Sequence, residues 1–239
     1  MNPFDSAIIS FLQGYTHRSP FLDTLVYLVM DSNFFKGGVV MGIFWWMWFR
    51  SSDQVLTRKT RETLIAAMIG AMIAVMAGKI LGDVSPFRLR PMNEPGLHFI
   101  VPFGTPEQEV TGWEVHDSFP SDHAALFFSI AVGIFLVSRS LGIFLLLYLS
   151  IIIGAARVYC GVHYPTDILV GGLVGISVSL LMNHPMLRRR VSNPVLLWLQ
   201  KSEATFYPAS LLFSYQLIVL FNDVRSFGGF FLRVLRGGL

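Results

Sequence analysis

Long apolar blocks separated by short polar breaks run through most of the chain. Within each block the apolar positions are nearly continuous, so these segments keep no polar face for water. A helix that crosses a membrane needs about 20 such residues. Blocks of this kind lie at Phe34–Phe49, Thr63–Leu81, His123–Val137, Leu141–Tyr159, Ile168–Met182 and Ala204–Leu220. The pattern predicts an all-α fold, a polytopic membrane helix bundle of about six spans.

A shorter apolar segment, Phe21–Met30, precedes the first of these blocks and is separated from it by Asp31, Ser32 and Asn33. It is either an interfacial helix or the first half of a long bent span. No repeat or linker divides the chain, which predicts one membrane-embedded domain over residues 1–239. Its core covers about 21–182, and a further hydrophobic segment lies at about 204–220. The N-terminus lacks the pattern of a removable signal peptide.

Composition supports the membrane interpretation and excludes other classes. Hydrophobic residues make up 53% of the chain and charged residues 14%, whereas a soluble domain has about a quarter charged residues. The formal net charge is only +3, which does not indicate nucleic-acid binding. The lone cysteine, Cys160, excludes an internal disulfide, and no zinc-ligand spacing is present. We expect the bilayer as a partner and no obligate protein partner.

Basic residues predict the orientation of the bundle. Arg50, Arg58, Lys59 and Arg61 follow one span, and Arg188, Arg189, Arg190 and Lys201 follow another. Positively charged loops remain in the cytoplasm. Alternating crossings then place Ser85–Asp122 and the loop around Gly161 together on the extracytoplasmic side. The sequence thus predicts a multi-pass cell (inner) membrane protein with both polar loops facing outward.

Three polar constellations lie in those loops, and together they suit phosphoryl transfer. They are Arg88-Leu-Arg90-Pro91, Pro120-Ser121-Asp122-His123, and Arg157-x5-His163-x3-Asp167. A neutral imidazole such as His163 can attack phosphorus, with Asp167 holding the other ring nitrogen. A second imidazole, His123, can protonate the departing oxygen. The guanidinium groups of Arg90 and Arg157 can bind phosphate oxygens in bidentate fashion.

Helix ends reinforce this assignment. Pro165 suits the first turn of a helix, and Ser121 or Asp122 suits an N-cap. Both histidines are therefore expected at helix N-termini, where free backbone N–H groups favour a bound phosphate. Such a site needs neither metal nor cofactor.

These motifs resemble the membrane-bound type 2 phosphatidic acid phosphatase superfamily, which is related to vanadium haloperoxidases and glucose-6-phosphatase. The resemblance covers roughly 21–182. The third motif is complete except that Ala156 replaces a serine. The second has Asp122 in place of glycine, a variant that is similar to the bacitracin-resistance type of undecaprenyl pyrophosphate phosphatase. In the first, Asp83 stands where the family has lysine, and Lys79 lies one helical turn earlier.

The resemblance implies that His163 is the nucleophile, Asp167 its orienting partner, and His123 the general acid and later the base. It implies that Arg90, Ser121 and Arg157 bind phosphate.

The missing lysine leaves alternatives at three positions. Lys79 either reaches the phosphate on its long stem, or snorkels or pairs within the bundle. Arg88 is a substitute for the missing charge or a ligand of a second phosphate. Asp122 belongs to the phosphate-binding set or is a plain capping acid.

The remaining histidines, His98, His116 and His184, are interpreted as structural, and the acidic residues Glu107, Glu109, Glu114 and Asp117 as a solvated loop face.

The function predicted on this basis is hydrolysis of a membrane lipid phosphate through a phosphohistidine, without metal. Undecaprenyl pyrophosphate is the preferred substrate, followed by phosphatidate-type phospholipids. A lipid phosphotransferase that uses the same phosphohistidine remains open, as does a non-catalytic lipid-binding membrane protein.

Overall fold

The protein folds into an all-α bundle in the computed structural model, which describes residues 1–50, 53–107 and 117–221. We label the helices α1 Pro3–Gln13, α2 Pro20–Asp31, α3 Val39–Phe49, α4 Gln54–Asp83, α5 Asp122–Val137, α6 Arg139–Tyr159, α7 Pro165–Met182, α8 Pro185–Lys201 and α9 Glu203–Ile218. A π-helical turn, Phe34–Gly38, leads into α3, and α6 contains a π-helical stretch, Ser150–Ala155. The predicted all-α membrane bundle is confirmed.

Helices α4, α5 and α7 pack against one another at the centre of the bundle. Small residues allow the close approach: a Cβ on Gly175 would lie 2.3 Å from the carbonyl oxygen of Ala125, and one on Gly133 would lie 2.2 Å from the Cβ of Ala67. Membrane helices associate through such small-residue contacts because lipid offers no hydrophobic driving force between them. The helices that carry the second and third motifs are thereby held in direct contact.

Within the described residues, three helices have the length and apolar composition to cross a membrane: α4, α6 and α7. The segments Phe34–Phe49 and Asp122–Val137 are apolar but shorter. The sixth predicted span corresponds to α9, which ends at Ile218. Helix α4 is longer than its predicted apolar block because polar residues extend it at its N-terminal end.

The N-terminal segment forms two short helices that pack on the end of α6, and α1 also contacts the start of α7. Helix α2 covers the apolar segment Phe21–Met30 and ends at Asp31. Its 12 residues extend about 18 Å, which is shorter than the roughly 30 Å hydrocarbon core. Ser32 adopts an extended conformation after it, so α2 is a separate helix rather than half of a continuous span.

The opposite end of the bundle carries the basic residues. Glu62 of α4 accepts a hydrogen bond of 3.0 Å from Arg58 and lies 3.7 Å from Arg188 of α8. Helix α9 returns along α3, where the indole nitrogen of Trp45 donates to Ser214 over 3.1 Å. The basic clusters and the three motifs therefore lie at opposite ends of α4.

Candidate active site

Two helix N-termini bring the second and third motifs together. Ser121 caps α5 by accepting a hydrogen bond from the backbone N–H of Ala124, and Pro165 occupies the first turn of α7. Both local predictions are confirmed. The backbone N–H of Ser121 donates to the carbonyl oxygen of Asp167 over 3.1 Å. This bond ties the two helix starts to each other.

His163 is buried, and its hydrogen bond identifies its tautomer. Its Nδ1 lies 2.8 Å from the backbone carbonyl oxygen of Ser118. A carbonyl oxygen only accepts, so Nδ1 carries the hydrogen and, in the neutral ring, Nε2 carries the lone pair. The backbone carbonyl of Ser118 thus leaves Nε2 of His163 as the ring nitrogen with a free lone pair.

Asp167 is completely buried and accepts hydrogen bonds from two sides. Its Oδ1 receives a bond of 2.7 Å from Arg88, and its Oδ2 receives one of 2.8 Å from the backbone N–H of Tyr164. Oδ2 lies 3.7 Å from Nδ1 of His163, which is too long for a hydrogen bond. In this arrangement the carboxylate acts on the imidazole through its charge, while Ser118 holds the ring.

Two buried arginines supply positive charge to this cluster. Arg90 donates to the carbonyl oxygen of Val162 over 2.8 Å, and Arg157 is also buried. Burial and the neighbouring charge of Arg157 lower the pKa of Arg90 to about 9, so it stays protonated at neutral pH. Burial, with the charges of Arg90 and Arg157, holds the pKa of His163 well below its usual value of 6.5. His163 is therefore neutral at neutral pH.

His123 lies at the start of α5, half-buried and close enough to Arg157 for that charge to act on its ring. The next residue back, Asp122, forms an ion pair of 2.6 Å with Lys79. The Lys79 side chain is 58% exposed and that of Asp122 18%. The structure thus pairs Lys79 within the bundle through Asp122.

Arg88 lies beside the nucleophile loop with both arms of its guanidinium engaged. One arm donates to Asp167, and the other donates to Asp5 of α1 over 2.6 Å. The guanidinium also lies over the ring of Tyr164, 3.6 Å from its centroid. The sequence left Arg88 open as a substitute for the missing lysine or as a ligand of a second phosphate. In the structure its guanidinium contacts two carboxylates and an aromatic ring.

Sequence reasoning missed several residues of this cluster. Asp5 lies in a helix that carries none of the three motifs. Lys36, in the π-helical turn before α3, is buried, and its charge acts on His123. Asp117 does not simply face solvent: its carboxylate accepts hydrogen bonds from the backbone N–H groups of Arg88 and Phe119. A buried lysine in an apolar block was the one available signal, because such a charge is costly in a membrane.

Other predicted positions lie outside the cluster or outside the described residues. His98 and His184 are both exposed. His116, Glu109 and Glu114 lie outside the described residues. In the described part of the chain, no group of three or more His, Cys, Asp or Glu side chains has an arrangement that could hold a metal ion.

The part of the chain that carries the three motifs matches a known family. Residues 61–190, more than half of the chain, match the PAP2 superfamily. The bacitracin transport permease protein BcrC of Bacillus licheniformis is 36% identical over 131 residues, which cover 53% of this chain and 57% of that protein. The undecaprenyl-diphosphatase of Sulfolobus acidocaldarius is 32% identical over 130 residues, with the same two coverages. The putative undecaprenyl-diphosphatase YbjG of Escherichia coli is 26% identical over 137 residues, or 57% of this chain and 60% of that protein.

Each of these alignments spans less than two-thirds of the relative's length, and no solved structure matches the chain significantly. The family match contains Arg90, His123, His163 and Asp167, the residues that the structure gathers at the ends of α5 and α7. The chain belongs to the PAP2 superfamily.

Proposed function

We propose that this protein is a metal-independent lipid phosphatase that hydrolyses undecaprenyl pyrophosphate through a phosphohistidine on His163. The observation that carries the proposal is the state of that residue. It is buried, neutral and fixed by the Ser118 carbonyl with Nε2 as its lone-pair nitrogen. A neutral imidazole held beside two guanidinium groups is suited to attack a phosphate that those groups bind.

In the first step, Nε2 of His163 forms a bond to the terminal phosphorus while the bond from phosphorus to the bridging oxygen breaks. The bonding electrons leave with that oxygen, which His123 protonates. The ring of His163 becomes positively charged, and the Asp167 carboxylate at 3.7 Å stabilises that charge. Arg90 and Arg157 neutralise the phosphoryl oxygens.

In the second step, water attacks the phosphohistidine. His123, now unprotonated, accepts a proton from the water as its oxygen bonds to phosphorus, and the bond from phosphorus to Nε2 breaks. Inorganic phosphate leaves, and His163 returns to its neutral form. Because all the charges involved come from side chains of the chain itself, the reaction is proposed to need no metal.

The substrate assignment is supported by two observations. Two relatives are named as known or putative undecaprenyl-diphosphatases, and Asp122 in the second motif is the variant that resembles the bacitracin-resistance type of undecaprenyl pyrophosphate phosphatase. A phosphatidate-type phospholipid also offers a terminal phosphate to His163, as a monoester instead of a pyrophosphate, so it is the second substrate class to test.

The location and the extent of the enzyme are also proposals. We place it in the cell (inner) membrane with the active site on the extracytoplasmic side, since the basic clusters around Arg58 and Arg188 lie at the other end of α4. We further propose that residues 1–239 act as one domain, because α1 and α9, which lie outside the family match, both pack against the bundle.

The direct test is phosphate release by the purified protein in detergent with EDTA, using undecaprenyl pyrophosphate and phosphatidate in parallel. His163→Ala should fall below about one thousandth of the wild-type rate, as for other catalytic nucleophiles. His184→Ala is the matched control, because His184 is exposed at the start of α8, and it should keep the wild-type rate. Loss of activity on chelation would refute the metal-independent mechanism.

A second experiment tests the intermediate. Substrate labelled in its terminal phosphate, quenched in base to preserve a phosphohistidine, should leave label on the wild-type protein during turnover. On His123→Ala the label should form more slowly and persist longer, because this variant lacks both the acid of the first step and the base of the second. His163→Ala should carry no label. A labelled protein that passes its phosphate to an added lipid instead of water would identify a phosphotransferase. A wild-type protein that binds the lipid but neither takes up label nor releases phosphate would identify a non-catalytic lipid-binding protein.

A further inference from the structure

The first helix contributes a completely buried carboxylate to the edge of the active site. Asp5 of α1 accepts hydrogen bonds from the backbone N–H of Thr166 at 2.9 Å and from its hydroxyl at 2.8 Å. It also accepts one of 2.6 Å from Arg88 and one of 2.8 Å from Asn2. Although burial opposes ionisation, the bonds from Arg88 and Thr166 lower the pKa of Asp5 below its usual value. Asp5 is therefore an anion at neutral pH.

Arg88 connects this carboxylate to Asp167. Its Nη2 donates to Asp5, while its Nη1 donates to Asp167 at 2.7 Å and to the hydroxyl of Thr166 at 2.9 Å. The ring of Tyr164 lies against the face of the guanidinium. Contacts on two arms and one face leave Arg88 a single orientation, with one arm directed at Oδ1 of Asp167.

We propose that Asp5 is a positioning residue that acts through Arg88 to fix the Asp167 carboxylate beside the His163 nucleophile. This inference rests on the proposed phosphatase function. With Oδ1 held by Arg88 and Oδ2 held by the backbone of Tyr164, the carboxylate cannot rotate without breaking a charge-assisted bond. Its Oδ2 then stays 3.7 Å from Nδ1 of His163.

Asp5 also changes the net charge next to the imidazole ring of His163. Asp5 and Asp167 are two anions and Arg88 is one cation, so the group keeps one net negative charge next to the imidazole. That charge stabilises the positive ring formed when His163 attacks phosphorus. Without Asp5 the remaining pair is neutral, and both arms of Arg88 can turn onto Asp167 and draw it away from the ring.

The position of Asp5 in the chain makes this a contribution of the N-terminal helix. It lies outside the family match at residues 61–190 and outside the three motifs. Thr166, which binds it, is 161 residues away in sequence. The activity of the motif-bearing core should therefore depend on a helix that the family match does not include.

A second buried carboxylate in the neighbouring helix provides a matched control. Asp23 of α2 is also completely buried and accepts hydrogen bonds from the backbone N–H groups of His17 and Phe103 and from the hydroxyl of Tyr159. None of these partners holds Asp167 or His163. Neutralising Asp23 should therefore perturb the packing of an N-terminal helix without moving the catalytic carboxylate.

The test compares Asp5→Asn, Asp5→Glu and Asp23→Asn in the purified full chain, with undecaprenyl pyrophosphate as substrate. We expect Asp5→Asn to lower kcat by about 10- to 100-fold, as for residues that orient catalytic groups, and to change KM by less than about threefold. Asp5→Glu restores the charge and should recover at least part of kcat. Asp23→Asn should lower the melting temperature and keep kcat within about threefold of wild type.

Arg88→Lys supplies a variant that keeps the cation but loses the two-armed fork. If Asp5 acts through Arg88, adding Asp5→Asn to Arg88→Lys should cost less than about a further threefold in kcat, because residues in one chain of contacts are not additive. A folded Asp5→Asn with wild-type kcat would overturn the inference, as would an equal kcat loss in Asp23→Asn, or fully multiplied losses in the double variant. A wild-type protein without activity would overturn the proposed function and this inference together.

Discussion

The contact between α5 and α7 depends on glycine, and Gly171→Ala would disturb it directly beside the second motif. A Cβ at Gly171 would lie 2.4 Å from the carbonyl oxygen of Ser121 and 3.2 Å from the Cβ of Ala124. Real Cβ contacts start at 3.0 Å. The first contact joins helix backbone to helix backbone, so side-chain rotation cannot relieve it. The two helices must separate by more than about half an ångström.

This separation should lower the stability of the protein, and it should lower the catalytic rate by a larger factor. Overpacking of this kind costs about 1–3 kcal/mol, which exceeds the gain of up to about 1 kcal/mol from replacing a helical glycine by alanine. The moved backbone is that of Ser121, whose N–H donates to the backbone carbonyl oxygen of Asp167 and which directly precedes the turn that carries His123. A misplacement of about 1 Å in a catalytic group can cost about 100-fold in rate, so we expect kcat to fall by about 10- to 100-fold.

Gly172→Ala is the control, because it makes the same chemical change one residue along the helix. A Cβ there would lie 3.7 Å from the ring of Phe128, an ordinary contact, so stability should be unchanged or slightly raised. Thermal unfolding in detergent and phosphate release measured on both variants provide the comparison. If Gly171→Ala is as stable and as active as Gly172→Ala, the close backbone contact does not position the site.

Three further predictions concern charge. Burial and neighbouring cations hold the pKa of His163 well below 6.5, so acid should protonate this residue in the unfolded chain first, and the melting temperature should fall as pH drops from about 7.5 to 5. The melting temperature of His163→Gln should depend less steeply on pH, and an equal dependence in both proteins would contradict this prediction. Asp122→Gly should release Lys79 for substrate and lower KM, with little change in melting temperature, because the Lys79 side chain is 58% exposed and a solvent-screened pair contributes at most about 1 kcal/mol. A higher KM would instead indicate that Asp122 itself aids binding. Lys36→Met should lower kcat/KM by about tenfold, whereas Lys59→Met, at an exposed lysine, should leave it unchanged. Equal kcat/KM values for the two variants would exclude Lys36 from the site.

Hydropathy predicted which segments form helices better than it predicted how long those helices are. The central helix was predicted at Thr63–Leu81, and it runs from Gln54 to Asp83, because Arg58 and Glu62 continue the helix past the apolar block. Polar side chains in the first turns of a helix do not interrupt its backbone hydrogen bonds. A hydrophobic pattern therefore marks the part of a helix that lipid can cover and says nothing about the part beyond it.

In the candidate site, contacts between residues close in sequence could be predicted, and contacts between distant residues could not. His163 and Asp167 were predictable together because four residues bring two side chains to the same side of a helix start. The Ser118 carbonyl that fixes His163 was not, since every residue has a backbone carbonyl and the sequence does not say which one is used. Asp5 was not predictable either, because no local pattern links a residue in α1 to the first turn of α7, more than 150 residues later.

The lysine expected by family resemblance is replaced by Asp83, and the two nearest cations do not simply take its place. Lys79 forms its ion pair with Asp122, and Arg88 is held by Asp5 and by the catalytic carboxylate. A cation that is paired at about 2.6 Å has much of its charge cancelled at the distance of a phosphate. The positive potential at the nucleophile must therefore come mainly from other residues.

Arg90 and Arg157 meet this requirement, and their position explains how the site can be both cationic and nucleophilic. Before substrate binds, the two buried guanidinium groups oppose protonation of His163, and they also repel each other: burial first, and then the charge of Arg157, lowers the pKa of Arg90. A phosphate dianion placed between them turns that repulsion into attraction. It also offsets the charges that would otherwise oppose a positive ring on His163. In the proposed mechanism, the same two residues thus keep His163 neutral until substrate binds, and the charge of the bound phosphate then offsets their opposition to a positive ring on His163.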